Sequence, residues 1–445
     1  MDKTSHALPT TTRDWHRRVW RLAGPIILSN MSVPLVGAVD TAVVGHLPDP
    51  VYIGAVALGA VIFNFLFWGF GFLRMGTTGF VAQAYGAGDA TEVRSTLARA
   101  LLLAAGLGLT VVLLQRPIEA VAFWAFEGSV RLEALAASYY AIRVWSAPAA
   151  LANYAVLGLL IGTQNTRAAL ALQLVLNLTN VGLDLLFVLG LGWGVEGVAL
   201  ASLLAEYIAL AFGLWVVRVT LRRIGGEWNR DHILYAPRLR ALLHVNLNIF
   251  VRTVSLIAAF FYFTAMGTRL GELTLAANAV LLHMHYFMSY GLDGFAHAVE
   301  ALAGGAYGAR HRNAFRAAVK ATTFWALIVA GVYTLIYATL GYYIIGIITG
   351  IEAVRSAASV YLPWILLSPF VSVWSFQLDG IYIGTTRPVE MRNSMALSLI
   401  IFVIASWLLI PLWHNHGLWL SFMIFMAVRA LTLGAWFPRI ERSMA

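Results

Sequence analysis

Along this chain apolar residues run in long blocks, and Gly, Pro and charge gather in the short breaks between them. A helix needs about 20 mainly apolar residues to cross the hydrocarbon core of a bilayer, and this chain offers that length repeatedly. Taking the breaks as punctuation predicts twelve helical spans. The first six cover 18–44, 54–82, 96–114, 132–161, 168–190 and 195–217; the second six cover 241–266, 274–303, 317–345, 357–384, 393–411 and 417–437. The fold class is therefore an all-α polytopic membrane protein with lipid as its solvent.

Composition supports this. Sixty per cent of the 445 residues are apolar and 11% are charged, against about 25% charged in a soluble domain. With no cysteine, thiolate metal sites, disulfides and cysteine nucleophiles are excluded. The formal charge of +9 would suggest nucleic acid in a soluble protein, but here the basic residues sit between spans and nucleic acid is not expected. Of 30 Lys and Arg, 22 fall in loops or at the adjoining span ends on the side of the termini and four on the opposite side. Positive charge marks the cytoplasmic face, so both termini are expected in the cytoplasm, with the protein in the inner (plasma) membrane. The leader before span 1 lacks a small-residue cleavage site, so an uncleaved first span is expected.

The chain repeats itself. A shift of 222 residues lays Ala84-Tyr85-Gly86-Ala87 on Ala306-Tyr307-Gly308-Ala309, and Gly158, Ile161, Gly162 and Thr163 on Gly380, Ile383, Gly384 and Thr385. A shift of 220 lays Gly197 and Leu200 on Gly417 and Leu420. Six spans per repeat give both halves the same orientation, a transporter architecture. The expected division is an N-terminal lobe over 1–217, an Arg-rich linker over 218–240 and a C-terminal lobe over 241–445.

Ionisable side chains within spans cost about 3 kcal/mol each on insertion scales, so each asks for a reason. In the N-terminal lobe Asn177, Asn180 and Asp184 stand at i, i+3 and i+7 on span 5, and Ser202 and Glu206 one turn apart on span 6. With Asp40 on span 1 and Asn153 on span 4, they line one expected cavity. Two carboxylates sharing a low-dielectric site repel each other, which favours holding a proton or a cation between them. A static hydrogen-bonded network is the alternative. In the C-terminal lobe Arg252, Asp293 and Asp379 form an expected charge cluster, with structural and coupling roles both open. Arg74 and Arg429 lie within snorkelling reach of the cytoplasmic interface, and Arg143 reads as a structural partner. Pro25 and Pro34 interrupt span 1 on the cytoplasmic side of Asp40 and delete backbone hydrogen bonds there, so this helix has either a hinge or a static kink.

The block Pro25-Ile26-Ile27-Leu28-Ser29-Asn30, with Val33-Pro34-Leu35 and Val39-Asp40-Thr41-Ala42-Val43-Val44-Gly45-His46, resembles the opening of the multidrug and toxic compound extrusion (MATE) family, in its DinF branch. Tyr85-Gly86-Ala87-Gly88, Gly162-Thr163-Gln164 and Leu378-Asp379-Gly380 extend the resemblance over all twelve spans. It implies two six-helix bundles in a V and export of amphipathic, cationic small molecules in exchange for H⁺ or Na⁺. By the same resemblance Asp40, Asn180 and Asp184 match the proton and cation residues, with Na⁺ possible there. Ser202 stands where a Thr is often found, and Pro25 matches the proline at which span 1 bends. Span 7 departs from the sodium-linked branch, which has a Glu where this chain has Arg252, so a C-lobe sodium site is not expected.

Other functions compete. A flippase for lipid-linked saccharides would call for a more basic cavity. A membrane-embedded hydrolase would need a metal or nucleophile set, and of His283, His285 and His297 on span 8 the first two point to different faces. No Walker loop occurs. The chain is read as a secondary antiporter rather than an enzyme, coupled to H⁺ in preference to Na⁺ and needing no cofactor.

Overall fold

The computed structural model describes residues 11–45, 49–124 and 129–444. Within the first helix the side chains of residues 33–36, 38, 40 and 41 lie outside the described residues, and with them the side chains of Pro34 and Asp40. The described residues contain no strand. The helices are α1 (Thr12–Val44), α2 (Val51–Gly69), α3 (Phe72–Gly86), α4 (Ala90–Leu113), α5 (Gln115–Trp124), α6 (Val130–Arg143), α7 (Ala147–Gly162) and α8 (Thr166–Asp184). They continue as α9 (Gly194–Ile224), α10 (Arg230–Ile233), α11 (Ala236–Arg269), α12 (Glu272–Gly308), α13 (Arg312–Ile348), α14 (Glu352–Gly384) and α15 (Pro388–Arg442). A helix satisfies its own backbone, which hydrocarbon cannot do for it.

Nine of the described helical stretches are long and apolar enough to cross a membrane. α1 and α12 occupy the positions of spans 1 and 8. The 55 residues of α15 would reach about 80 Å as one rod, far more than a bilayer. His414 breaks it with a φ of 48° and a ψ of −126°, three residues after Pro411, so α15 supplies spans 11 and 12. Span 2 is likewise divided between α2 and α3, and span 4 between α6 and α7 by a 3₁₀ turn at Val144–Ser146 ahead of Pro148.

Two compact units emerge from the packing, one made of the chain up to Ile27 together with everything from Leu242 on, the other of Leu28–Ala241. This differs from a division of 1–217 against 241–445 at two points. The first turns of α1 bury Trp15, Val19, Leu22, Ala23 and Ile26, a single helical stripe, and Trp20 packs edge-on against Phe295 of α12 and Trp325 of α13. The change of unit falls two residues after Pro25. At the other end, the stretch 218–240 belongs to the second unit. Arg94 of α4 donates to the carbonyls of Gly225 (2.6 Å) and Leu221 (2.7 Å), and Arg99 to those of Ile233 (3.0 Å) and His232 (2.5 Å). These guanidiniums add side-chain donors to carbonyls at and just after the ends of α9 and α10, where the intrahelical ladder runs out.

The sequence repeat is a repeat of packing. A Cβ added to Gly162 of α7 would stand 2.9 Å from the carbonyl oxygen of Thr78 in α3, and one added to Gly384 of α14 would stand 2.5 Å from that of Glu300 in α12. Both partners are 222 residues apart, as are the two glycines. The following turns match as well. Gln164 (φ 61°) and Thr386 (φ 50°) take left-handed conformations. Just beyond them, Asn165 N donates to Leu160 O at 2.7 Å and Arg387 N to Tyr382 O at 2.9 Å, the 6→1 bond of a Schellman ending.

Candidate functional site

α8 carries the polar stripe of the Leu28–Ala241 unit. Asn177, Asn180 and Asp184 are all buried, Asp184 with no exposed surface at all. Gln173, one turn earlier, donates to Asn177 Oδ1 at 3.0 Å, and Asn177 donates to the Ser32 hydroxyl of α1 at 2.7 Å. Directly after Asp184 the helix widens into a π turn, Leu185–Gly190, a local irregularity that often marks functional sites.

α9 faces this stripe. Ser202 Oγ accepts from Asn180 Nδ2 at 3.3 Å and from Arg143 Nη1 at 2.8 Å. Arg143 also donates to the Tyr139 hydroxyl and lies over the rings of Phe63 (5.4 Å) and Tyr139 (5.6 Å). One turn further along α9, Asn153 of α7 donates its amide to the Glu206 carboxylate at 2.8 Å and to the Glu206 carbonyl at 3.0 Å. Asn180 and Ser202 are thus brought together, Asn153 and Glu206 likewise, and Asn177 is tied to α1. Asp40 lies on α1 eight residues beyond Ser32; its side chain is outside the described residues.

In the other unit, Arg252 of α11 and Arg429 of α15 both donate to Oδ2 of Asp379, Arg429 at 2.7 Å. Two guanidiniums therefore converge on one carboxylate in the interior. Asp293 of α12 lies in the same unit and is half-buried. Arg429 corrects an expectation: at 1% exposure it does not snorkel to the cytoplasmic interface but sits in a buried ion pair, because Asp379 is a better partner for it than headgroup water.

His285 is buried, in hydrogen-bond contact with Ser368 Oγ at 2.8 Å, whereas His283 is exposed. Among the described residues no group of three or more His, Asp or Glu could hold a metal ion. Sequence reasoning did not place Arg143, Tyr139, Ser32, Gln173 or Arg429 in these networks. The signal for Arg143 and Arg429 was their charge within a span; for Tyr139, Ser32 and Gln173 the sequence carries none.

Helices of membrane-crossing length arranged in repeated units, each with a buried polar cluster, define a multi-pass membrane transporter. A family model described as MatE matches residues 25–186 and 249–408. DNA damage-inducible protein F of Escherichia coli (strain K12) is 43% identical over 429 residues, 96% of this chain and 93% of that protein. Protein DETOXIFICATION 44, chloroplastic, of Arabidopsis thaliana is 25% identical over 94% of this chain and 81% of its own length. Among solved structures, a multidrug resistance MATE family transporter of the MOP superfamily in an outward-facing conformation superposes with a TM-score of 0.88 at 18% identity, covering 98% of this chain and 99% of that one. A MOP superfamily transporter from Pyrococcus furiosus gives the same TM-score and identity over 100% and 99%. The chain belongs to the MATE family of multidrug and toxic compound extrusion transporters.

Proposed function

We propose that this protein is a secondary active antiporter of the inner (plasma) membrane, exporting amphipathic, cationic small molecules in exchange for protons. Both termini face the cytoplasm, on the strength of 22 basic residues against four across the loops and adjoining span ends. Coupling is carried by Asp40 and Asp184, with Asn180, Ser202, Asn177, Asn153 and Glu206 as the polar surround and Pro25 and Pro34 as the points where α1 bends.

The observation that carries this reading is the complete burial of Asp184, at the end of the helix that also buries Asn177 and Asn180. A carboxylate withdrawn from water is neutralised by a proton or a cation rather than left charged. Protons are favoured over sodium by Ser202. Its hydroxyl already accepts from Asn180 and Arg143, so its lone pairs are taken, and the guanidinium brings a fixed positive charge where a sodium ion would need an oxygen ligand. The names of relatives agree with a drug cargo: a probable multidrug resistance protein NorM of Synechocystis sp. is 27% identical over 45% of this chain. A flippase for lipid-linked saccharides finds no comparable support, since Arg252 and Arg429 are both already engaged by Asp379.

The test is efflux of a cationic dye from proteoliposomes, driven either by a pH gradient in sodium-free buffer or by a sodium gradient at constant pH. Efflux under the pH gradient is expected. Efflux under sodium alone reverses the ion assignment, and efflux under neither overturns antiport of this cargo.

A further inference from the structure

An open cavity of about 680 Å³ lies against the start of α1, lined by Arg13, Asp14, His16, Arg17, Trp20 and Trp325. All six residues belong to the unit that holds the chain up to Ile27 and from Leu242 on. Asp14 is occupied as part of the helix start: it accepts from the Thr11 hydroxyl at 2.6 Å, and its backbone N–H donates back to that hydroxyl at 3.2 Å. Arg13 and Arg17 have no ion-pair partner among the described residues. The aromatic wall is built by Trp20 against Trp325 (ring centroids 5.3 Å apart) and His16 against Trp325 and Phe324 (6.0 and 5.4 Å). Within that wall Trp325 Nε1 and His16 Nδ1 are buried without a hydrogen-bond partner. Such groups are rare in folded proteins and ask for a ligand or a structural reason.

The level of the cavity narrows the ligand. After Arg21 the chain carries no charge until Asp40, and after Lys320 α13 carries none through Ile348. Trp20 and Trp325 therefore stand where charge gives way to hydrocarbon, the level at which Trp gathers in membrane proteins. Two guanidiniums against one carboxylate, with no ion pair made by either Arg13 or Arg17 among the described residues, leave net positive charge beside two indoles, which matches a phosphodiester above acyl chains. We propose that this cavity is a headgroup site for an anionic phospholipid, Arg13 and Arg17 taking the phosphate and the Trp20 and Trp325 rings flanking the glycerol end of the chains. It is separate from the polar stripe of α8 and does not depend on the coupling mechanism. Its occupation would hold the first turns of α1 against α12 and α13.

The purified full chain in detergent is titrated with dioctanoyl phosphatidylglycerol, and binding is read by native mass spectrometry and by the shift in melting temperature. Arg13→Gln/Arg17→Gln is expected to weaken binding about thirtyfold, from roughly 1 kcal/mol per basic residue near a membrane surface. Arg13→Lys/Arg17→Lys is expected to recover most of it, which separates loss of charge from loss of fold. Arg222→Gln/Arg223→Gln, which removes the same charge elsewhere, is expected to bind as the unaltered chain does. Equal binding by the Gln pair, or equal binding of dioctanoyl phosphatidylcholine, overturns the proposal. Displacement of the lipid by millimolar inorganic phosphate would assign the site to a free anion and overturn the lipid reading.

Discussion

Arg429 meets Asp379 at 2.7 Å through the same carboxylate oxygen, Oδ2, that Arg252 engages. Three helices, α11, α14 and α15, are thus pinned at one atom inside a low-dielectric unit. A buried pair of this kind is weak evidence for stability by itself, because its desolvation offsets most of the attraction; removing one partner is another matter, since it strands a buried charge. The same geometry answers the question of a C-lobe cation site. The guanidiniums already stand where an external cation would have to bind Asp379.

Asp379→Asn should therefore act on stability more than on coupling. It leaves two guanidiniums facing one neutral amide, at a cost of about 3 kcal/mol, and the melting temperature of the purified protein should fall clearly. The folded fraction should still export under a pH gradient. Loss of pH-driven export in protein that melts normally would move coupling into this cluster.

The repeat makes a paired prediction. Gly162→Val and Gly384→Val both push a side chain into the carbonyl of the facing helix, at Thr78 and Glu300. Overpacking of this kind costs about 1–3 kcal/mol, and the two losses in thermal stability should be of similar size. Gly106 has no heavy atom within 4 Å of an added Cβ, so Gly106→Ala should melt no lower than the unaltered chain. A tolerant Gly384 beside a sensitive Gly162 would show that the repeat has lost its packing equivalence.

How much of this was legible in the sequence follows from what each feature depends on. Spans declare themselves because lipid demands uninterrupted apolar length, and Gly162 and Gly384 survive in both halves because only glycine lets the helices approach so closely. The stripe Asn177, Asn180 and Asp184 is local to one helix, so its spacing shows it. The partners of Arg143 and Arg429 are not local: Ser202 lies 59 residues from Arg143, and Asp379 lies 50 from Arg429, and no periodicity connects them. The division of α1 was hidden for a different reason. Trp15, Val19 and Ile26 form a buried stripe among arginines, and a basic leader reads as topology before it reads as packing.

On the loop joining α1 to α2, Asp49 offers a pH test outside the membrane spans. Its Oδ1 accepts from the Val51 backbone N–H at 2.9 Å and its Oδ2 pairs with Arg131 at 2.6 Å. The Val51 bond first, and then the Arg131 charge, hold its carboxyl below the ordinary value of 3.8, partly opposed by desolvation. A lowered folded pKa means that the unfolded chain binds the proton more readily. The stabilisation is therefore present in full above the ordinary value and is lost as pH falls through the lowered one. The melting temperature of the unaltered chain should exceed that of Asp49→Asn at neutral pH by a small margin that closes as the pH falls below the ordinary carboxylate value. A margin that widens in acid would contradict the assignment.

Asp40→Asn addresses the coupling proposal itself. The amide keeps the size of the carboxyl and most of its hydrogen-bonding capacity and removes only the group that can exchange a proton. A position that merely holds the network together should tolerate it, whereas a proton carrier should not. Export driven by a pH gradient is expected to fall to background in proteoliposomes, with the protein inserted and its melting temperature within a few degrees of the unaltered chain. Asp184→Asn should behave in the same way if the two carboxylates share one proton. Asn153→Ala, which removes the amide that donates to the Glu206 carboxylate and carbonyl, should reduce the rate without abolishing it. The discriminating measurement is proton flux in the absence of cargo alongside dye efflux in the same vesicles. An Asp40→Asn protein that still exchanges protons for dye at the normal rate would take coupling away from this half of the transporter.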